Sequence, residues 1–354
     1  MKIEREQYTV SFSEPTLYVD NESRKRSGHM THAMAEFAPG KLIDFNSNCS
    51  AVIHAGHSTY GWVEYRISED GGESFSEIRE LPYSKAALYD GLHVISVEKA
   101  VACDDGRIVA ICLRNDAHAM CPPWDTPMTV TSHDGGESWT EPRELCSYKG
   151  RVYDACYYGG VIYALEFCND ATEDFCGVNE EHVYRVFTSH NNGESFEELC
   201  VVPIPSHRRA YGSLLIDDQG NMHVYAYNIS DEQHMDHIIS RDLGRTWEES
   251  TVCYLNEGIR NPQTAQLNGV YILHGRRAGG RGFVFYTSLD GQSFDEASFL
   301  GRARGGCYYS NNIILKDRNG NDRMLVQYSE TYSLEHGQHC VNVKHVWLTV
   351  ERHA

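Results

Sequence analysis

The sequence holds no run approaching the roughly 20 apolar residues that cross a bilayer as a helix, which argues against a membrane partner. Its opening segment, MKIEREQYTVSF, lacks the apolar core and small-residue cleavage site of a secretion signal. Basic residues are scarce: 31 Lys and Arg stand against 50 Asp and Glu, a formal net charge of -19. That balance argues against nucleic acid, because neutralising phosphates needs a net basic face. An acidic small substrate stays open, since a local arginine cluster sets the field inside a cleft. The 12 cysteines include no Cys-x-x-Cys pair and no tight Cys/His spacing, so no metal or other cofactor is expected. A chain this long does not need a disulfide framework, and reduced thiols in a cytoplasm are the expectation.

What the sequence does have is an internal repeat. Five segments share one pattern: Ser68-Glu-Asp-Gly-Gly-Glu-Ser-Phe75, Ser132-His-Asp-Gly-Gly-Glu-Ser-Trp139, Ser189-His-Asn-Asn-Gly-Glu-Ser-Phe196, Ser240-Arg-Asp-Leu-Gly-Arg-Thr-Trp247 and the shorter Ser288-Leu-Asp-Gly-Gln-Ser-Phe294. Their starts lie 64, 57, 51 and 48 residues apart, the drifting period of one structural unit with variable loops. The Asp, or Asn191, is placed to accept backbone N–H bonds from the residues after it. Glycine at the fifth position of the four full-length copies supplies a conformation that a Cβ disfavours. The closing Phe or Trp buries its ring between sheets. Each copy follows a β-rich run such as Val63-Glu-Tyr-Arg-Ile67, so each reads as the turn of a hairpin.

These motifs resemble Asp boxes (BNR repeats), and the chain is similar in nearly its whole length to the sialidase (neuraminidase) superfamily. The resemblance implies an all-β fold: a six-bladed β-propeller with four-stranded antiparallel blades. Strand–Gly–strand units around Gly40, Gly106, Gly160, Gly220, Gly269 and Gly320 supply six blades within a single domain, residues 1–354. The run Gln7–Phe12 is expected to pair with the last blade and close the ring, removing an exposed sheet edge. The boxes themselves are assigned to turns and core, because function belongs to the site and not to the fold.

Counting from each turn glycine places charged and aromatic residues at the mouth of the ring. They are Arg26, His29 and His32 in blade 1, Glu98 and Asp116 in blade 2, and Arg209 in blade 4. Blade 5 adds Arg260 and Arg276, and blade 6 adds Tyr308, Tyr309 and Glu330. Several guanidinium groups around one funnel suit an anionic sugar, because a guanidinium fork pairs bidentately with a carboxylate.

In the sialidase family three arginines hold the substrate carboxylate, a tyrosine activated by a glutamate is the nucleophile, and an early-loop aspartate is the acid/base. The resemblance makes Tyr309 the nucleophile and Arg276 one of the three arginines, with Arg26 and either Arg208 or Arg209 as the others. Two family residues are missing. Asn261 stands where the glutamate belongs, so Glu330, Glu98 or Glu166 would replace it. Residues 46–60 hold no carboxylate, which leaves His54, His57 or Asp116 as the acid. The expectation is an exo-acting glycoside hydrolase on sialic acid or a related acidic carbohydrate. One alternative is a propeller lyase or histidine-dependent glycosidase acting on uronate-containing glycans, with His29, His32 and Tyr309 handling protons. The other is a non-catalytic glycan-binding propeller.

Overall fold

The computed structural model describes residues 1–55, 58–118, 124–168, 182–280, 282–301, 308–333 and 340–353, without side chains for 53–59. Six antiparallel sheets form the blades of a propeller. The innermost strands are Met34–Ala38, His93–Ala102, Gly150–Tyr158, Arg209–Ile216, Arg260–Leu267 and Ser310–Lys316, one for each of blades 1 to 6. Each hairpins into a second strand through a turn whose glycine has positive φ, from 71° at Gly269 to 83° at Gly160 and Gly320. Only glycine takes that conformation without a Cβ penalty. In the last blade Tyr8–Phe12 pairs antiparallel with Cys340–Arg352, with Val10 opposite Val350. The outer edge of that sheet is therefore built from the start of the chain.

Second strands are covered on both faces by neighbouring blades, so they read as continuous apolar runs rather than alternating ones. Ile108–Asp116 is the clearest example, buried from Ile108 through Leu113. The core is accordingly a set of wedges between blades. Ile43, Phe45, Val63 and Tyr65 of blade 1 pack against Val97, Ile108, Ala110 and Val130 of blade 2. Every described cysteine carries a free thiol, and Cys112 is buried in this wedge.

The repeated turns join third to fourth strands and pin each blade to the one before it. Asp70 Oδ1 accepts from Ser74 N at 2.9 Å, and Ser68 Oγ accepts from Gly72 N at 2.8 Å. Asp134 and Asp242 repeat the arrangement, and these hydrogen bonds hold all three carboxyls down at about 2. Trp139, closing the second turn, packs on Phe45 and Tyr65 of blade 1 and donates Nε1–H to the Tyr65 hydroxyl at 3.1 Å. A Cβ on Gly193 would lie 2.5 Å from Val109 Cγ2, so that glycine also permits close approach to blade 2.

The longest helix among the described residues, Pro82–Asp90, goes beyond the repeat and lies between the last strand of blade 1 and blade 2. Pro82 starts it, where a missing N–H costs nothing, and Gly91 ends it in the left-handed conformation.

Two outcomes follow from this packing. Trp139→Ala should cost about 3 kcal/mol, the low end for a large aromatic because the ring is half-buried, read by denaturant unfolding. The second concerns acid. Burial holds His237 and His274 neutral, with pKa values lowered to about 3, and His32 to about 4. Between those values and the unfolded value of 6.5 the unfolded chain binds more protons, so stability rises with pH and is lost as pH falls through that window. Thermal unfolding at pH 4.5 and pH 7 checks this; equal midpoints would contradict it.

Candidate functional site

Every blade sends residues from its innermost strand, or from the segment leading into it, to one cavity on the propeller axis. Its lining includes Met30 and His32 of blade 1, Glu98 and Lys99 of blade 2, and Arg151 and Tyr153 of blade 3. Tyr211 of blade 4, Asn261 and Gln263 of blade 5, and Tyr309 and Asn311 of blade 6 complete the ring. The floor is a buried polar knot. Lys99 Nζ lies 2.8 Å from Asp154 Oδ1, 2.7 Å from Gln263 Oε1 and 2.5 Å from Asn311 Oδ1. The second Asp154 oxygen accepts from Ser213 Oγ at 2.8 Å and Leu214 N at 2.9 Å. One ammonium and one carboxylate thus tie blades 2 to 6 together at the axis.

Above the floor, irregular strand pairing re-aims side chains. Lys99 pairs with Ile111 but Val97 with Cys112, so Glu98 is the extra residue of a bulge. Tyr153 is extra in the same way between Val152 and Asp154. Ala210 and Tyr211 face one residue of the next strand, as do Asn261 and Pro262. Bulges bend a strand and turn one more side chain to the same side. Here they bring Glu98, Tyr153, Tyr211 and Asn261 to the cavity. Gly275 accommodates the last of them, because a Cβ there would come within 2.7 Å of Asn261 O.

The site carries strong and incompletely satisfied charge. Arg151 donates Nε–H and Nη2–H to one oxygen of Glu98, at 2.9 and 2.8 Å, and lies 5.0 Å from the Tyr153 ring and 5.6 Å from Tyr211. Burial opposes its charge, but Glu98 together with Tyr153, Tyr309 and Tyr211 outweighs that and holds the guanidinium above its ordinary range. Burial likewise raises the Glu98 carboxyl. Arg260 and Arg276 sit directly opposite each other on adjacent strands, a like-charge pairing that disfavours the sheet. Arg276 lies 5.9 Å from the Tyr309 ring, and Arg260 5.7 Å from Tyr227, which packs on Tyr211. Tyr309 and Tyr211 meet hydroxyl to hydroxyl at 3.2 Å, and burial raises the Tyr309 phenol. Among the described residues, Arg151 Nη1, Arg260 Nε, Arg276 Nε, Glu98 Oε1, His32 Nε2 and both amide atoms of Asn261 are buried without a partner. Buried polar atoms are rarely left so, and a cluster of them around one cavity points to a ligand that completes them.

Of the residues singled out in the sequence, His32, Glu98 and Tyr309 line the cavity, Arg276 lies over Tyr309, and Arg260 lies over Tyr227, which packs on Tyr211. His29 packs edge-on against Tyr309, with ring centroids 5.0 Å apart. Others are placed elsewhere. Arg26 lies across blade 1, bonded to Asn48 Oδ1 at 2.5 Å and stacked over Trp62, in a network where Asn48 and Arg24 hold Glu64. Arg209 is paired with Asp236 of its own blade, and Arg208 bonds Ser230 at 3.0 Å. Tyr308 is turned into the wedge between blades 5 and 6, stacked on Phe283. Glu330 pairs with Lys344, and Glu166 bonds Cys146 at 3.1 Å. Asp116 accepts from His118 N at 2.7 Å, closing its own loop. His57 and the side chain of His54 lie outside the described residues.

Sequence reading missed Arg151. A signal existed: Arg151-Val-Tyr153 and Arg209-Ala-Tyr211 repeat one Arg-x-Tyr pattern at the start of two innermost strands. The repeat does not say which arginine turns inward. Asp236 captures Arg209, whereas Arg151 finds Glu98 at the cavity.

No family model matches the chain, and no curated protein sequence matches it. Solved structures do. A Dyadobacter fermentans protein of unknown function superposes with a TM-score of 0.69 at 12% identity, over 97% of this chain and 99% of that one. The NanB sialidase of Streptococcus pneumoniae gives 0.64 at 11% identity, over 95% of this chain and 70% of that one. Trypanosoma rangeli sialidase, solved with the inhibitor DANA, gives 0.61 at 10% identity over 96% and 59%. At such identities the likeness is one of fold, a sialidase-like propeller.

The knot at the floor makes a direct prediction. Lys99→Met strands a buried carboxylate and should destabilise the protein by about 3–5 kcal/mol, whereas Lys99→Met combined with Asp154→Leu should recover part of that loss. Urea unfolding of the two variants decides it.

Proposed function

We propose that the protein is a sialidase-like glycoside hydrolase that takes an acidic sugar, sialic acid or a relative, into the axial cavity. What supports this reading is that Arg151 lies over Tyr211, Arg276 over Tyr309 and Arg260 over Tyr227, each guanidinium with a buried N–H without a partner among the described residues. A carboxylate among them satisfies all three and offsets the like-charge strain between Arg260 and Arg276. Tyr309 is the nucleophile of this reading, and a neutral phenol avoids repulsion from the anionic sugar. Glu98 supports it as proton acceptor: Arg151 clamps one oxygen and leaves the other open. Asp116 is turned to its own loop, which leaves His54 or His57 as proton donor to the leaving oxygen.

One observation favours a second reading, elimination from a uronate. Tyr309 meets another phenol, and burial raises its pKa, which suits a proton donor better than an attacking phenolate.

A chromogenic sialoside tests the first reading. Wild-type protein should release the chromophore, Tyr309→Phe should lower kcat at least 100-fold, and Arg276→Leu should raise KM about tenfold, near 1.4 kcal/mol of carboxylate binding. New ultraviolet absorbance from a conjugated double bond, on uronate-containing glycans, would replace hydrolysis by elimination. Binding of acidic sugars with no turnover on either substrate would leave a non-catalytic module.

A further inference from the structure

The ring of His32 lines the cavity, and its orientation is set from behind by three buried side chains. His32 Nδ1 lies 3.0 Å from Gln327 Oε1. Gln327 donates its amide N–H to Asp44 Oδ1. The other Asp44 oxygen is 2.9 Å from His345 Nε2, and the His345 ring stacks on Tyr18 with centroids 3.9 Å apart. His32, Asp44 and His345 are each at most 5% exposed, and Gln327 is fully buried.

Chemistry gives this chain a direction. A carboxylate only accepts, so Gln327 turns its NH2 to Asp44 and its oxygen to His32. An amide oxygen cannot donate, so the proton of the neutral imidazole sits on Nδ1. Nε2 is then a lone pair, and it is one of the buried atoms without a partner among the described residues. Burial also lowers the His32 pKa to about 4, so at neutral pH the ring accepts and does not act as an acid.

We propose that His32 Nε2 is the hydroxyl acceptor of the axial cavity, taking a hydrogen bond from a hydroxyl of the bound acidic sugar. Gln327 is the positioning residue that locks the accepting tautomer. The inference rests on the acidic-sugar reading and deepens it. The arginines recognise charge, which every acidic sugar offers, whereas a fixed lone pair selects among them by where a hydroxyl stands. A site built around one unsatisfied acceptor rejects the analogue that lacks the matching donor.

Two measurements test it. Nitrogen-15 NMR of histidine-labelled, ligand-free protein at pH 7 should show His32 protonated on Nδ1 alone, and Gln327→Met should lose that single tautomer. Calorimetry with N-acetylneuraminic acid and its monodeoxy analogues should find one analogue bound at least tenfold more weakly than the parent by wild type. His32→Phe should bind that analogue and the parent equally, and Gln327→Met, which keeps the imidazole, covers the case in which His32→Phe does not fold by showing reduced discrimination. A proton on Nε2 in the wild type overturns the inference alone. So does binding in which no analogue's loss depends on His32 or Gln327, while the acidic-sugar reading stands. Failure of wild type to bind N-acetylneuraminic acid overturns that reading and this inference with it.

Discussion

The axial contact between Lys99 and Asp154 is the constraint on which the rest of the site depends. Closing six sheets into a ring forces their inner edges together, and polar groups buried there must be satisfied by one another. Lys99 does this with three acceptors from blades 3, 5 and 6. The knot is a poor source of net stability, since desolvating a charge pair offsets most of its attraction. Its effect is on position: it sets the height at which the innermost strands meet, and thereby the floor of the cavity.

Stability resides elsewhere, in the wedges between blades and in the turns that lock each blade to the previous one. Tyr65 shows how directly this works, accepting from Trp139 and donating to Gly136 O at 2.8 Å, both in the turn of the next blade. Because the wedges hold the ring, the hub is free to carry groups that a core would reject. The opposed Arg260 and Arg276, the half-open Glu98 and the unpartnered amide of Asn261 are each locally unfavourable. They occur together at the cavity, which is how binding sites differ from packed interiors.

Much of the architecture was legible without coordinates. The repeat with its Asp, Gly and aromatic positions identified the turns, and six turn glycines located the strand pairs. Candidate residues fared unevenly, for a reason visible in Arg209 and Arg151. Both begin innermost strands in the same Arg-x-Tyr pattern, yet a carboxylate on the third strand of the same blade takes one and a carboxylate on the neighbouring blade takes the other. Tyr308 and Tyr309 are adjacent just before the innermost strand of blade 6, and positive φ at Tyr308 accompanies its turn into the wedge. The helix Pro82–Asp90 escaped because it belongs to no repeat.

The sequence by itself determined the repeating unit, because turn geometry and strand burial depend on residues close along the chain. It also supplied the types of group at the hub: arginines, tyrosines, histidines and glutamates. Only the tertiary structure decided which of them meet. Pairings such as Arg151 with Glu98 and His32 with Gln327 join residues 53 and 295 positions apart. The bulges that aim the cavity residues exist only where one strand is laid against another, so no local pattern encodes them.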